Sequence, residues 1–165
     1  MDNAIKKLLR QTNVNYAIMG GKAAVHKIRP IMNINNSKNY DLYVFKNNVN
    51  KLSTNLNKLF KNRNVKYTRY STYLITKNNY HNVIKFISLN NRGRLLNEIV
   101  NIHVSKNPIH VIKNNNVLKY ISNNQLINNL SYAVSKNKSH LQREKRLQAL
   151  KAIRTMKKFI NPKTN

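Results

Sequence analysis

Hydrophobic and polar positions follow two periods along this chain, and their order predicts its elements. In residues 3 to 11, Ile5, Leu8 and Leu9 share one helical face while Lys6, Lys7 and Arg10 take the other, so the chain opens on a short amphipathic helix. Tyr16 to Met19 is a compact apolar run closed by Gly20-Gly21, after which Ala23, Ala24, Val25 and Ile28 continue at helical spacing up to Pro30. This reads as strand, glycine turn, helix. Tyr40, Leu42 and Val44 alternate with Asp41, Tyr43 and Phe45 in a second strand, and Val49, Leu52, Leu56 and Leu59 mark a helix ending near Asn62.

The middle of the chain changes character. Val65 to Arg69, Thr72 to Thr76, Asn82 to Leu89 and Leu95 to Val104 read as four strands, separated by Asn-rich turns that carry the third glycine, Gly93. After a short Ile109 to Ile112 segment the helical period returns, first with Val117, Leu118 and Ile121, then with Leu126, Ile127, Leu130 and Ala133. Finally Leu147, Leu150, Ile153, Met156, Phe159 and Ile160 form the longest stripe. Three C-terminal helices are expected. The order predicts an α+β fold with a mixed sheet flanked by helices and a C-terminal helical segment. No internal repeat or long linker divides the 165 residues, which form one expected domain: a core over 1–112 and helices over 113–160 packed on it.

Composition adds one feature that the pattern does not contain. Hydrophobic residues make up 41% and charged residues 21%, as a packed core requires, but Lys+Arg 31 against Asp+Glu 4 gives a formal net charge of +27. Such a chain calls for a polyanionic partner. Asn is about a fifth of the chain, a bias that AT-rich codons produce without selection on function, and AT-rich parasites, large DNA viruses and cytoplasmic plasmids share it.

The acids limit the chemistry. They are Asp2, Asp41, Glu98 and Glu144, and only Asp41 and Glu98 are placed to enter an interior site, so carboxylate pairs and three-carboxylate Mg²⁺ sites are hard to build. With Cys 0, thiolate nucleophiles, thiolate zinc sites and disulfides are excluded, and a reducing, intracellular setting is mildly favoured. His26, His81, His103, His110 and His140 show no metal-binding spacing. Without a long apolar run or an apolar leader, a soluble, unprocessed protein with no membrane partner is the expectation.

Gly20-Gly21 stands between a predicted strand and helix, where backbone lacking Cβ lets a phosphate approach free N–H groups; a plain structural turn is the alternative. The stretch "YAIMGGKAAVHKI", followed after a short loop by "SKNYDLYVF", resembles the nucleotidyltransferase superfamily of the DNA polymerase beta type, and most of all the poly(A) polymerase-like domains of large DNA viruses. That resemblance implies a metal site in which the second strand supplies two aspartates and a later strand a third carboxylate. Here Asn39 falls at the first position and Asp41 at the second. In "LLNEIVNIHV", Asn101 or His103 takes the third, with Glu98 about one turn of register away. An Asn oxygen is a weak ligand for a hard cation, so the resemblance implies a vestigial site that has lost catalysis and needs no cofactor, with Mg²⁺ required only if the chain is an active minimal enzyme.

The basic residues then become the candidate binding surface. "LQREKRLQALKAI" is similar to the family's closing helix, and Lys138, Arg143, Lys145, Arg146, Lys151, Arg154, Lys157 and Lys158 are expected to surround its apolar stripe, with Lys22 at the glycine turn and Arg69 among Tyr67, Tyr70 and Tyr73 as further contacts. The expected function is phosphate-backbone binding to DNA or RNA without sequence preference, in genome packaging or as an accessory subunit. Self-association on the nucleic acid is compatible with it. The expected location is a virion or cytoplasmic viral factory if the source is viral, and otherwise intracellular. The rivals are an active nucleotidyltransferase and a basic virion or ribonucleoprotein component bound to an acidic protein.

Overall fold

The computed structural model describes residues 1–29, 38–61, 65–76, 79–89, 92, 94–109, 116–136 and 143–160. In chain order the elements are α1 (Asp2–Gln11), β1 (Tyr16–Met19), α2 (Gly20–Ile28), β2 (Tyr40–Phe45), α3 (Val49–Phe60), β3 (Val65–Thr76), β4 (Asn79–Leu89), β5 (Leu95–Ser105), α4 (Asn123–Lys136) and α5 (Arg143–Thr155), which continues as a π-helical turn over Met156–Ile160. The strands form one mixed sheet in the order β1-β2-β5-β4-β3. Only the β2 and β5 pair is parallel.

Burial follows the sequence alternation. Along β2, Tyr40, Leu42 and Val44 are buried while Asp41, Tyr43 and Phe45 are half-buried, so the strand has a core face and a polar face. Onto the core face pack Ile5 and Leu9 of α1, Ala23 and Ile28 of α2 and Leu52, Leu56 and Phe60 of α3, with Leu126 of α4 and Ile153 of α5 in the same continuous core. Phe60 meets Phe86 of β4 at 5.6 Å between ring centroids. The buried Tyr16 satisfies its hydroxyl by donating to the Leu9 carbonyl at 2.7 Å, and burial pushes its pKa up to about 12.

Three expectations are corrected. Val65 to Thr76 is a single strand, because its pairing with β4 runs from Val65 opposite Ser88 to Thr76 opposite Asn79. Val117, Leu118 and Ile121 do not form a helix: the Ile18 amide donates to the Lys119 carbonyl (2.7 Å) and the Ile121 amide to the Ile18 carbonyl (3.0 Å), which spends this backbone on the edge of β1. The helix starts instead at a capping box, in which the Ser122 hydroxyl accepts from the Gln125 amide (3.2 Å) and the Gln125 side chain accepts from the Ser122 amide (3.3 Å). Two C-terminal helices are therefore described, not three. On α5, Leu147 and Leu150 are 55% and 40% exposed, and the inward face is Ala152, Ile153, Thr155 and Met156. The Ile109 to Ile112 segment lies largely outside the described residues.

Candidate functional site: a polar cluster on the open face of the sheet

Register decides which side chains meet. Asp41 of β2 stands opposite Asn101 of β5, Asn101 opposite Lys85 of β4, and Lys85 opposite Arg69 of β3, so these four positions form one row across the sheet. The side chain of Arg69 is outside the described set, as are those of Tyr67, Tyr70 and Tyr73. Strict alternation would turn Glu98 to the opposite face from Asn101. It does not, because the β4 and β5 pairing slips between Phe86 opposite Val100 and Ile87 opposite Glu98, which leaves Ile99 as the extra residue of a β-bulge. The bulge brings Glu98 onto the face of Lys85 and Asn101.

The resulting network is continuous. Lys85 Nζ donates to Glu98 Oε1 at 2.7 Å, and Asn101 Nδ2 donates both to Glu98 Oε2 and to Asp41 Oδ1, at 3.1 Å each. Asn39 Nδ2 reaches the same Asp41 oxygen at 3.2 Å, and His103 Nε2 lies 3.4 Å from it. Lys85 is 7% exposed and Asn101 6%. Burial opposes the charge of Glu98. The hydrogen bonds from Lys85 and Asn101 and the lysine charge outweigh both that and the repulsion of Asp41, and hold its carboxyl below the ordinary value. The Asn101 amide serves as a double donor between two carboxylates, which leaves its Oδ1 buried without a hydrogen-bond partner among the described residues, at a cost of about 1–3 kcal/mol.

Gly20 closes the cluster at the mouth of α2. Its φ is +64°, and a Cβ there would lie 2.6 Å from Asp41 Oδ2, so only glycine lets the carboxylate approach this closely. The glycine turn thus abuts a carboxylate. Gly21 follows in the first turn of the helix, and Lys22 points away from the cluster, 3.6 Å from Asp2 and over the Tyr40 ring.

These donors and acceptors do not suit a pair of divalent cations. A hard cation needs converging oxygen lone pairs, whereas N–H groups of Asn39 and Asn101 occupy Asp41 Oδ1 and an ammonium occupies Glu98. Among the described residues no group of three or more His, Asp or Glu has metal-binding geometry.

The Megavirus polyadenylate synthase, known from its crystal structure, matches this chain with a TM-score of 0.56 at 17% identity, over 98% of this chain and 33% of that one. The fold is nucleotidyltransferase-like. It is a fold that an enzyme uses, and the chain spans about a third of the length of that viral protein. No protein-family model matches the sequence, and no curated protein matches it.

On this nucleotidyltransferase-like fold the structure brings the candidates Asn39, Asp41, Glu98, Asn101 and His103 together. The sequence reading missed Lys85, because a lysine alternating with Ile84 and Phe86 reads as the solvent side of a strand. Its signal was relational, since Lys85 is the one cation set between two apolar residues on a strand whose neighbour carries Glu98. The predicted surface lies elsewhere. Arg143, Arg146, Lys151, Arg154, Lys157 and Lys158 are all exposed, Lys145 lies on α5 with its side chain outside the described set, and Lys138 is outside the described residues. No described helix is long and apolar enough to cross a membrane.

Proposed function

We propose that this chain is a non-catalytic, strongly basic protein that binds nucleic acid through its phosphate backbone, largely without sequence preference, on a nucleotidyltransferase-like scaffold. The observation that carries the non-catalytic half is the Lys85 ammonium on Glu98, 2.7 Å away, joined through Asn101 to Asp41. Positive charge and N–H donors inside the protein satisfy the carboxylates that a metal would otherwise bridge. The binding half rests on charge, because +27 on 165 residues favours a polyanion. Along α5 the residues Arg143, Arg146, Leu147, Leu150, Lys151 and Arg154 recur three and four apart, so four cations and two leucines share an exposed arc about 140° wide. Packing of a viral genome or service as an accessory subunit fits this surface, in a virion or a cytoplasmic viral factory.

The test is incubation with a primer, each nucleoside triphosphate and Mg²⁺ or Mn²⁺. Neither primer extension nor self-labelling is expected. Template-independent extension that disappears in Asp41→Ala would make the chain an active minimal nucleotidyltransferase and overturn this reading.

A further inference from the structure

A cavity of about 450 Å³ opens between α1, α2, β2 and the 118–120 segment, lined in part by Lys6, Lys22, His26, Arg29, Tyr40 and Tyr120. It lies behind the sheet from the polar cluster: Tyr40 and Asp41 are successive residues of one strand and project to opposite faces. Two kinds of group line it. Lys6 and Lys22 converge on one carboxylate, Asp2, at 3.1 and 3.6 Å, and no described carboxylate lies within ion-pair distance of Arg29. Three cations against one anion leave the cavity with a net positive charge of two. Beside them the His26 and Tyr120 rings stack at 3.9 Å between centroids and 3° between planes, and Lys22 Nζ lies 4.6 Å from the centroid of the Tyr40 ring.

Anion-binding cations beside a flat aromatic pair match a ligand that carries a phosphate next to a planar ring. The volume falls within the ~300–1,000 Å³ range of small-ligand sites, enough for one such unit and too small for a duplex. We propose that this cavity is a second, separate site that takes a single nucleotide unit, its phosphate held by Lys6, Lys22 and Arg29 and its base laid against the His26–Tyr120 pair. Burial, followed by the neighbouring Lys27 charge, lowers the pKa of His26, which keeps the imidazole a neutral stacking surface at pH 7.

The unit could come from a free nucleotide or from the end of a strand, and two probes separate these sources: AMP and a 5′-phosphorylated tetranucleotide, each titrated into the full chain near 150 mM salt. At least one should bind, with the adenine protons shifted upfield by the ring pair in its NMR spectrum. Binding of AMP assigns the site to free nucleotides, and binding of the tetranucleotide alone assigns it to strand ends. Adenosine and inorganic phosphate should each bind at least tenfold more weakly. The double variant Lys6→Gln, Arg29→Gln changes partly or fully exposed positions and should lose at least tenfold in affinity. Gln substitutions on α5 should leave AMP binding and the upfield shift of the adenine protons unchanged, so the site stands or falls separately from the α5 surface. Failure of both probes, equal binding of inorganic phosphate, or full affinity in the double variant would overturn the proposal.

Discussion

A lysine ammonium that is 7% exposed must be neutralised or lose its proton, and at Lys85 the neutralising group is Glu98. Glu98 is itself partly open to solvent, which weakens the pair relative to a fully buried one. Glu98→Ala takes the paired carboxylate from the ammonium and should cost roughly 2 kcal/mol, below the ~3–5 of a fully buried pair. Lys85→Met removes the charge at similar volume and should cost less, and the double variant should be little worse than Lys85→Met alone. Urea denaturation of the three variants checks this, and equal, additive losses would contradict it. The pH dependence has a fixed sign. Because the Glu98 pKa is lowered on folding, its contribution is full above its ordinary value of 4.5 and fades as pH falls through the lowered folded value. The stability gap between wild type and Glu98→Gln should therefore narrow in acid. Of this network Asn39, Asp41, Glu98 and Asn101 were legible in the sequence, although the bulge at Ile99 that turns Glu98 onto their face is not revealed by alternation. Lys85 was hidden by ordinary strand alternation. Asp2, which looked like a terminal charge, accepts from Tyr40 and pairs with Lys6 and Lys22.

Elements with one strong periodic face were predictable, and those decided by competing partners were not. The strand and helix from Tyr16 to Ile28 and the alternation of β2 stand as the sequence implied, since each has a single way to bury its apolar side. Val117 to Ile121 has helical spacing, yet its backbone groups found partners on β1, and a capping box opening at Ser122, directly after that pattern, sets the start of α4. On α5 the apolar stripe is split: its second half docks on α4 and α2, while Leu147 and Leu150 join the cations on the exposed side. The exposed face of α5 is thus basic with two leucines between its cations. Arg143→Gln, Arg146→Gln, Lys151→Gln and Arg154→Gln together should weaken duplex binding at least tenfold with the circular dichroism spectrum unchanged, because all four side chains are exposed. A variant that binds like the wild type would move the interface off this helix.

At the scale of the whole molecule, the charge stood in the sequence and its placement did not. Two of the four carboxylates, Asp41 and Glu98, are spent inside the polar cluster and a third, Asp2, ties α1 to α2, so among the acids only Glu144 is left on the α5 surface to moderate its field. A scaffold arranged in this way should hold polyanions by counterion release and read little of their sequence. The most direct measurement is the binding constant for two duplexes of unrelated sequence between about 50 and 200 mM salt. Engagement of three or more phosphates predicts a logarithmic slope of about −2.7 or steeper, a loss of roughly fortyfold or more over that range, and the same curve for both duplexes. A flat salt dependence, or a strong preference for one sequence, would contradict the account.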